Sequence, residues 1–470
     1  MTRGLQVGII GVGVMGGNLA LNIEDKGFSV SVYDISLDSL NRMRVVSKGK
    51  DILISDSLKS FVESLESPRK IILMIKAGKA VENVIEELKK YITPGDIIID
   101  CGNSYFHDSM RRRTQLEAQG YNFIDVGVSG GAEGALKGPS LMPGGDLEVY
   151  KSIEPILMAI AAKVGNEPCC TYIGDSGAGH YVKMVHNGIE YGDMELICEI
   201  YALLKGALKL SNDEISDLFA QWNNGELNSY LVEITSKIFK KLDTDSQKPM
   251  IDLILDVAGE KGTGKWSSES ALNLGVPVPI ITESVFSRYL SSMKEERVEA
   301  SRVLSAEIEK GIELDELEFI ESLRQAFYVS SICCYAQGFS LMRAASKEYK
   351  WSLNLGNIAS VFRGGCIIRA ALLDKIKKAY ENNPELSNIM LDGYFKEVLL
   401  SYQQALRKVV ITAISMGIAV PALSSAISYF DSYRTEKLPA NLLQAQRDYF
   451  GGHTYQRIDK DRGSFFHTEW

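Results

Sequence analysis

Lys183 and Glu190 stand seven residues apart in the run Lys183-Met184-Val185-His186-Asn187-Gly188-Ile189-Glu190-Tyr191. On an α-helix, positions i, i+4 and i+7 share one face. Lys183, Asn187 and Glu190 would then point the same way with His186 beside them, while Met184, Val185 and Ile189 pack the helix. An amine and a carboxyl so placed offer a base and an acid for proton transfer. Burial would favour the neutral form of both. Taken alone, a Lys-Asn-Glu stripe also suits a solvated helix face. The elements around it therefore decide.

The chain opens with a second signal. Leu5 to Ile10 reads as a buried strand and runs straight into Gly11-Val12-Gly13-Val14-Met15-Gly16. This G-x-G-x-x-G lies between a strand and a helix read over residues 18–26. Its first glycine allows the tight turn, its second lets backbone approach a pyrophosphate, and its third lets helix and strand pack closely. Phosphate would sit at the helix N-terminus. A second strand, residues 28–33, ends in Asp34, placed to bind a ribose 2′-hydroxyl and to repel the 2′-phosphate of NADP. Neither Ile35 nor Ser36 supplies a compensating charge, although Arg42 and Arg44 lie further on. The cofactor expected is NAD, with NADP the second choice.

At 470 residues the chain has room for two or three domains and a large core. Its formal charge of −9 argues against broad nucleic-acid binding. The seven cysteines show no C-x-x-C spacing and read as reduced thiols of a cytoplasmic protein. The apolar N-terminus reads as a strand rather than a leader, and no run of about 20 apolar residues suggests a membrane span. Up to residue 178, apolar runs such as 70–75, 96–100 and 122–126 alternate with amphipathic stretches, the βαβ rhythm of a doubly wound Rossmann sheet. Beyond it, long helical patterns at 180–210 and 317–346 predict an almost entirely α domain over 179–435, where Tyr201-Ala202 and Tyr335-Ala336 hint at a duplicated unit. A tail, 436–470, is aromatic and should dock on something.

Ligands of open α/β sheets bind beyond the carboxyl ends of strands. There lie Cys101-Gly102-Asn103-Ser104 and Ser129-Gly130-Gly131, followed by a run to Gly145 that reads as irregular. In the helical part, Gly259 to Lys265 nearly spells a P-loop but lacks the following Ser or Thr, and residues 251–258 before it read as a helix rather than a strand. Such a loop can still hold one phosphate through Lys261 and backbone amides, with Arg288 adding a bidentate contact. Asp252 and Asp256 lack a third ligand, and the five histidines lack zinc spacing, so no metal site is expected.

Across essentially its whole length the chain resembles the decarboxylating 6-phosphogluconate dehydrogenases. The resemblance rests on Gly11 to Gly16 with Asn18-Leu19, Lys76-Ala77-Gly78, Gly102-Asn103-Ser104, Ser129 through Gly145, Lys183 to Tyr191, Lys261 to Trp266, and Gln446 to His453. It implies Lys183 as general base and Glu190 as general acid. Gly11, Gly13, Val14, Met15, Gly16, Asp34, Lys76, Ala77 and Asn103 would bind cofactor. Asn103, Ser129, Gly130, Gly131, His186 and Asn187 would hold the sugar acid, and Tyr191, Lys261, Thr263 and Arg288 its phosphate. Arg447 and His453 match tail residues that reach the other subunit's site, implying a homodimer with exchanged tails. The implied reaction converts 6-phosphogluconate to ribulose 5-phosphate and carbon dioxide in the pentose phosphate pathway. One departure bears on the cofactor: where most of the family has Asn-Arg-Thr, its arginine reading the 2′-phosphate, this chain has Asp34-Ile35-Ser36. Two alternatives remain, a dehydrogenase of small unphosphorylated β-hydroxyacids and a catalytically silent NAD-binding protein.

Overall fold

The computed structural model describes residues 4–259, 262–305 and 313–470, and these form two compact units, one reaching to Ala426 and one from Ile427 to Trp470. The first begins with a seven-stranded sheet: β1 (Val7–Ile10), β2 (Val30–Tyr33), β3 (Ile52–Ile54), β4 (Lys70–Leu73), β5 (Ile97–Asp100), β6 (Asn122–Ser129) and β7 (Ser140–Gly145). The spatial order is β3-β2-β1-β4-β5-β6-β7, with every pair parallel except β6 and β7. Strand order reverses between β1 and β4, the switch point at which such sheets bind nucleotides.

The strands are short apolar runs because both faces are covered. Side chains alternate between the faces: Ile71 and Leu73 join one core with Phe61, Ile85 and Phe123, whereas Ile72 joins the other with Ile9, Leu19, Ile23 and Val126. The first helix spans Val14–Asp25, starting inside the glycine motif and four residues before its expected start. The run before Gly145 is not irregular. Its last six residues form β7, paired antiparallel from Ile124↔Gly145 to Ser129↔Ser140. Proline and two glycines disguise it, yet an edge strand tolerates a proline.

After a two-stranded antiparallel ribbon, Lys163–Val164 with Glu167–Pro168, the remainder of this unit is helical. Two long helices, Ala178–Gly206 and Glu316–Glu348, pack along each other and are buried on most sides. They approach closely at glycines: a methyl on Gly192 would stand 2.3 Å from Cys334 Sγ, and one on Gly338 2.5 Å from Ile189. The expected helix over 251–258 is absent. A 3-10 turn, Met250–Leu253, is followed by irregular chain in which Lys294 and Arg297 hold Asp256, while Asn212 donates to Asp252. Among the described residues no group of His, Cys, Asp and Glu converges as a metal site, and no helix is long and apolar enough to cross a membrane.

Candidate active site

The glycine motif closes as its spacing requires. Gly11 has φ +92°, and a methyl on it would stand 2.5 Å from Met74 O; one on Gly16 would strike Gly11 O. A methyl on Gly13 would meet open space, the hollow through which a pyrophosphate could approach. The helix behind it has no side-chain cap, leaving its first amides available to an anion. Val12 N donates to Asp34 Oδ2 at 2.7 Å and Ser36 N to Oδ1 at 2.8 Å, so the carboxylate is pinned beside the turn. These features fit a dinucleotide. Arg44 is engaged with Asp56 at 2.7 Å and with Asn41, and Arg42 donates to Ser39. Lys76 and Ala77 follow β4, with Lys76 exposed.

Beyond β5, Asn103 is presented by a turn whose buried support is ionic. Asp100 accepts from Gly102 N, Ser104 Oγ and Arg112 Nη1, and Arg112 also reaches Glu82. Beyond β6, Gly130 comes so close to Gly365 that a methyl would lie 2.5 Å from its carbonyl oxygen.

The helix Ala178–Gly206 is fixed from the sheet. Buried Asp125 of β6 accepts from Gly177 N at 2.8 Å and His180 N at 2.9 Å, capping the helix N-terminus with a carboxylate. Gly127, two residues along β6, makes room for Lys183, since a methyl there would stand 2.5 Å from Lys183 Cβ. His186, wholly buried, lies between Lys183 and Glu190. Its Nδ1 is 3.4 Å from Lys183 Nζ, 3.1 Å from Asn187 Oδ1 and 3.7 Å from Glu190 Oε2, while its Nε2 is 3.1 Å from Ser129 Oγ. Burial holds the Lys183 ammonium below the usual lysine range against the opposing pull of Glu190, and pushes His186 well below the usual imidazole range, helped by Lys183. A lysine neutral at lower pH and an imidazole kept uncharged suit proton abstraction.

Arg288 lies 3.4 Å over the Tyr191 ring and donates to Gly259 O at 3.2 Å. Gly264 lets the same ring approach, for a methyl on it would stand 2.5 Å away. Thr263 begins the helix Thr263–Leu274 behind Gly262, whose φ is +90°. A guanidinium, a phenol, a hydroxyl and a helix N-terminus thus converge in a manner suited to a phosphate. Lys261 lies outside the described residues.

These groups share one pocket of about 540 Å³, lined by Met15, Asn103, Ser129, Gly130, Gly131, Lys183, Asn187, Glu190, Tyr191, Thr263 and Arg288. It therefore runs from the glycine turn to the phosphate-suited corner, with the lysine and glutamate between. His186 stands behind its wall. Arg447 and His453 belong to the second unit, where both are exposed. Val128, Met194, Gly259 and Ile367 also line the pocket. Met194 falls four residues after Glu190, so the same helical periodicity marks it, but a methionine there reads as packing; Ile367 has no local signal.

Comparison with known proteins matches this layout. The model described as the NAD binding domain of 6-phosphogluconate dehydrogenase fits residues 6–174, and that of the 6-phosphogluconate dehydrogenase C-terminal domain fits residues 179–470. The chain belongs to the 6-phosphogluconate dehydrogenase family. It is an NAD(P)-dependent oxidoreductase of the decarboxylating type. Among its relatives in that family, the NADP(+)-dependent, decarboxylating enzyme of Bacillus subtilis is 58% identical over 99% of both chains. The decarboxylating enzyme of Escherichia coli K12 is 56% identical over the same share. The solved 6-phosphogluconate dehydrogenase of Plasmodium falciparum, described with NADP+ and with 6-phosphogluconate, superposes with a TM-score of 0.95 at 42% identity, covering 99% of this chain and 100% of the other.

Proposed function

We propose that the chain catalyses oxidative decarboxylation of 6-phospho-D-gluconate to D-ribulose 5-phosphate and carbon dioxide, preferring NAD, as a cytoplasmic enzyme of the pentose phosphate pathway. The observation that carries this reading is the single pocket in which Lys183 and Glu190 lie between a dinucleotide turn and the Arg288, Tyr191 and Thr263 corner. The bound nicotinamide supplies the hydride acceptor for C3.

Neutral Lys183 removes the C3 hydroxyl proton. The resulting β-keto acid loses carbon dioxide as the electrons of the C1–C2 bond flow toward the C3 carbonyl, whose oxyanion the Lys183 ammonium stabilises. Protonated Glu190 then delivers a proton to substrate C2 of the resulting enediol, the carbon that becomes C1 of ribulose 5-phosphate. Asn103, Ser129, Gly130, Gly131 and Asn187 hold the sugar acid, while His186, buried behind the wall, contributes through its contacts to Ser129 and Asn187, which orient them. Tyr191, Lys261, Thr263 and Arg288 hold the phosphate. Gly11, Gly13, Val14, Met15, Gly16, Asp34, Lys76, Ala77 and Asn103 form the cofactor side. Arg447 and His453 complete the site from the exchanged tail of a homodimer.

The NAD preference is supported by the pinned Asp34 carboxylate and by the engagement of Arg44 with Asp56. A fixed anion facing a 2′-phosphate, with no arginine at position 35 or 36, disfavours NADP by a few kcal/mol.

Lys183→Met and Glu190→Gln test the roles. Each is expected to lower turnover by roughly 10²- to 10⁴-fold with cofactor binding retained. Turnover near wild type in either variant would remove that residue from the chemistry.

A further inference from the structure

The second unit is organised around one buried carboxylate. Asp448, on the helix Ala440–Gly451, is fully buried although its neighbours Arg447 and Tyr449 are exposed. Its Oδ1 accepts from Thr454 N at 2.9 Å and lies 2.9 Å from His467 Nδ1. Its Oδ2 accepts from Thr468 N at 3.1 Å and from Trp470 Nε1 at 3.0 Å. The chain reaches these donors by reversing direction at Gly452, with φ +57°, and again between Tyr455 and Phe466, which form an antiparallel bridge. One carboxylate thus joins the helix, the turn after it and the terminal segment.

Burial would push the Asp448 carboxyl up, but His467, the Thr468 and Thr454 amides and the Trp470 indole hold it down to about 2, while Asp448 raises His467 above the usual imidazole range. When His467 is protonated the two form an ion pair that several hydrogen bonds complete, which is the form a buried charge requires.

Arg447 immediately precedes Asp448, and His453 immediately precedes Thr454, whose amide Asp448 holds. Gln444 adds a second link, accepting from Arg447 Nη1 at 3.1 Å and donating to Thr454 O. His453 itself packs edge-on against Phe450, with ring centroids 5.9 Å apart. We infer that Asp448 is a positioning residue for substrate, its carboxylate holding the helix that carries Arg447 and the turn that carries His453 in one fixed geometry. The inference rests on the reading of Arg447 and His453 as substrate contacts. Asp448 itself touches no reacting atom.

The test uses the full-length enzyme with Asp448→Asn, Arg447→Met, His453→Ala and the double variant Asp448→Asn/Arg447→Met. Readouts are KM for 6-phosphogluconate, KM for the cofactor, kcat, and association state by sedimentation. Asp448→Asn is expected to raise the substrate KM about tenfold with cofactor KM little changed, and the double variant to be little worse than Arg447→Met alone, because residues acting through one another are not additive. If Asp448→Asn lowers the yield of folded protein, His467→Phe, which removes one of the four donors, is read by the same criteria. An unchanged substrate KM, an equal rise in cofactor KM, or losses that multiply in the double variant would overturn the role of Asp448. Wild-type KM values in Arg447→Met and His453→Ala would instead overturn the reading of the tail as a substrate contact, and Asp448 would have nothing to position.

Discussion

Lys183 is buried at a place where a charge is costly, and that cost is visible in stability as well as in rate. Folding lowers its pKa, so between the folded value and the unfolded one the native chain binds fewer protons than the unfolded chain, and stability rises with pH. The penalty is therefore fully present below the folded value and fades as pH approaches about 10. Lys183→Met removes it. Denaturant titrations should show the variant more stable than wild type at pH 7, with the difference shrinking as pH rises. A variant destabilised at pH 7 would show that burial does not penalise the Lys183 ammonium. Asp34 yields the second prediction at this scale. Asp34→Asn together with Ile35→Arg removes the pinned anion and adds a cation to an exposed position, so the ratio of kcat/KM for NADP to that for NAD should rise by 10²-fold or more. An unchanged ratio would place cofactor choice elsewhere.

At the scale of elements, the helix Ala178–Gly206 carries both side chains proposed to transfer protons, and its first turn is tied to the sheet. Asp125 makes that tie, by accepting two amides that would otherwise be buried without partners. Asp125→Asn keeps the size but opposes an amide donor with an amide donor. It should cost about 1.5–3 kcal/mol in thermal or chemical unfolding, and lower kcat more than it raises KM, since the displaced group is Lys183. Wild-type stability would mean that the cap is dispensable. The helix itself was legible from apolar spacing around Lys183, and so were β1, β2 and the glycine turn, because local pattern and tertiary role agree there. The strand Ser140–Gly145 was not, for Pro143, Gly144 and Gly145 are poor strand formers that only pairing with β6 makes extended. Nor was the irregular chain at 254–258, where ionic contacts to Lys294 and Arg297 override a helical pattern.

For the whole molecule, the pocket is a product of long-range assembly. Asn103, Ser129, Lys183, Thr263, Arg288 and Ile367 come from segments that no local pattern relates, and only the closing of the helical part on the sheet gives them one wall. Residue types at strand ends and on the Lys183 helix announced most of that wall. Ile367 and the Asp125 cap depend on packing and carried no sequence signal. The tail was legible as aromatic, but its organisation around Asp448 depends on contacts to His467, Thr468 and Trp470 some 20 residues further on.

The most direct measurement is kcat/KM with 6-phosphogluconate, using NAD and NADP side by side while carbon dioxide release is followed. Equal amounts of reduced cofactor and carbon dioxide, with the larger kcat/KM for NAD, is the predicted result. Preference for NADP would contradict the role given to Asp34, and reduction without carbon dioxide release would contradict the reaction itself.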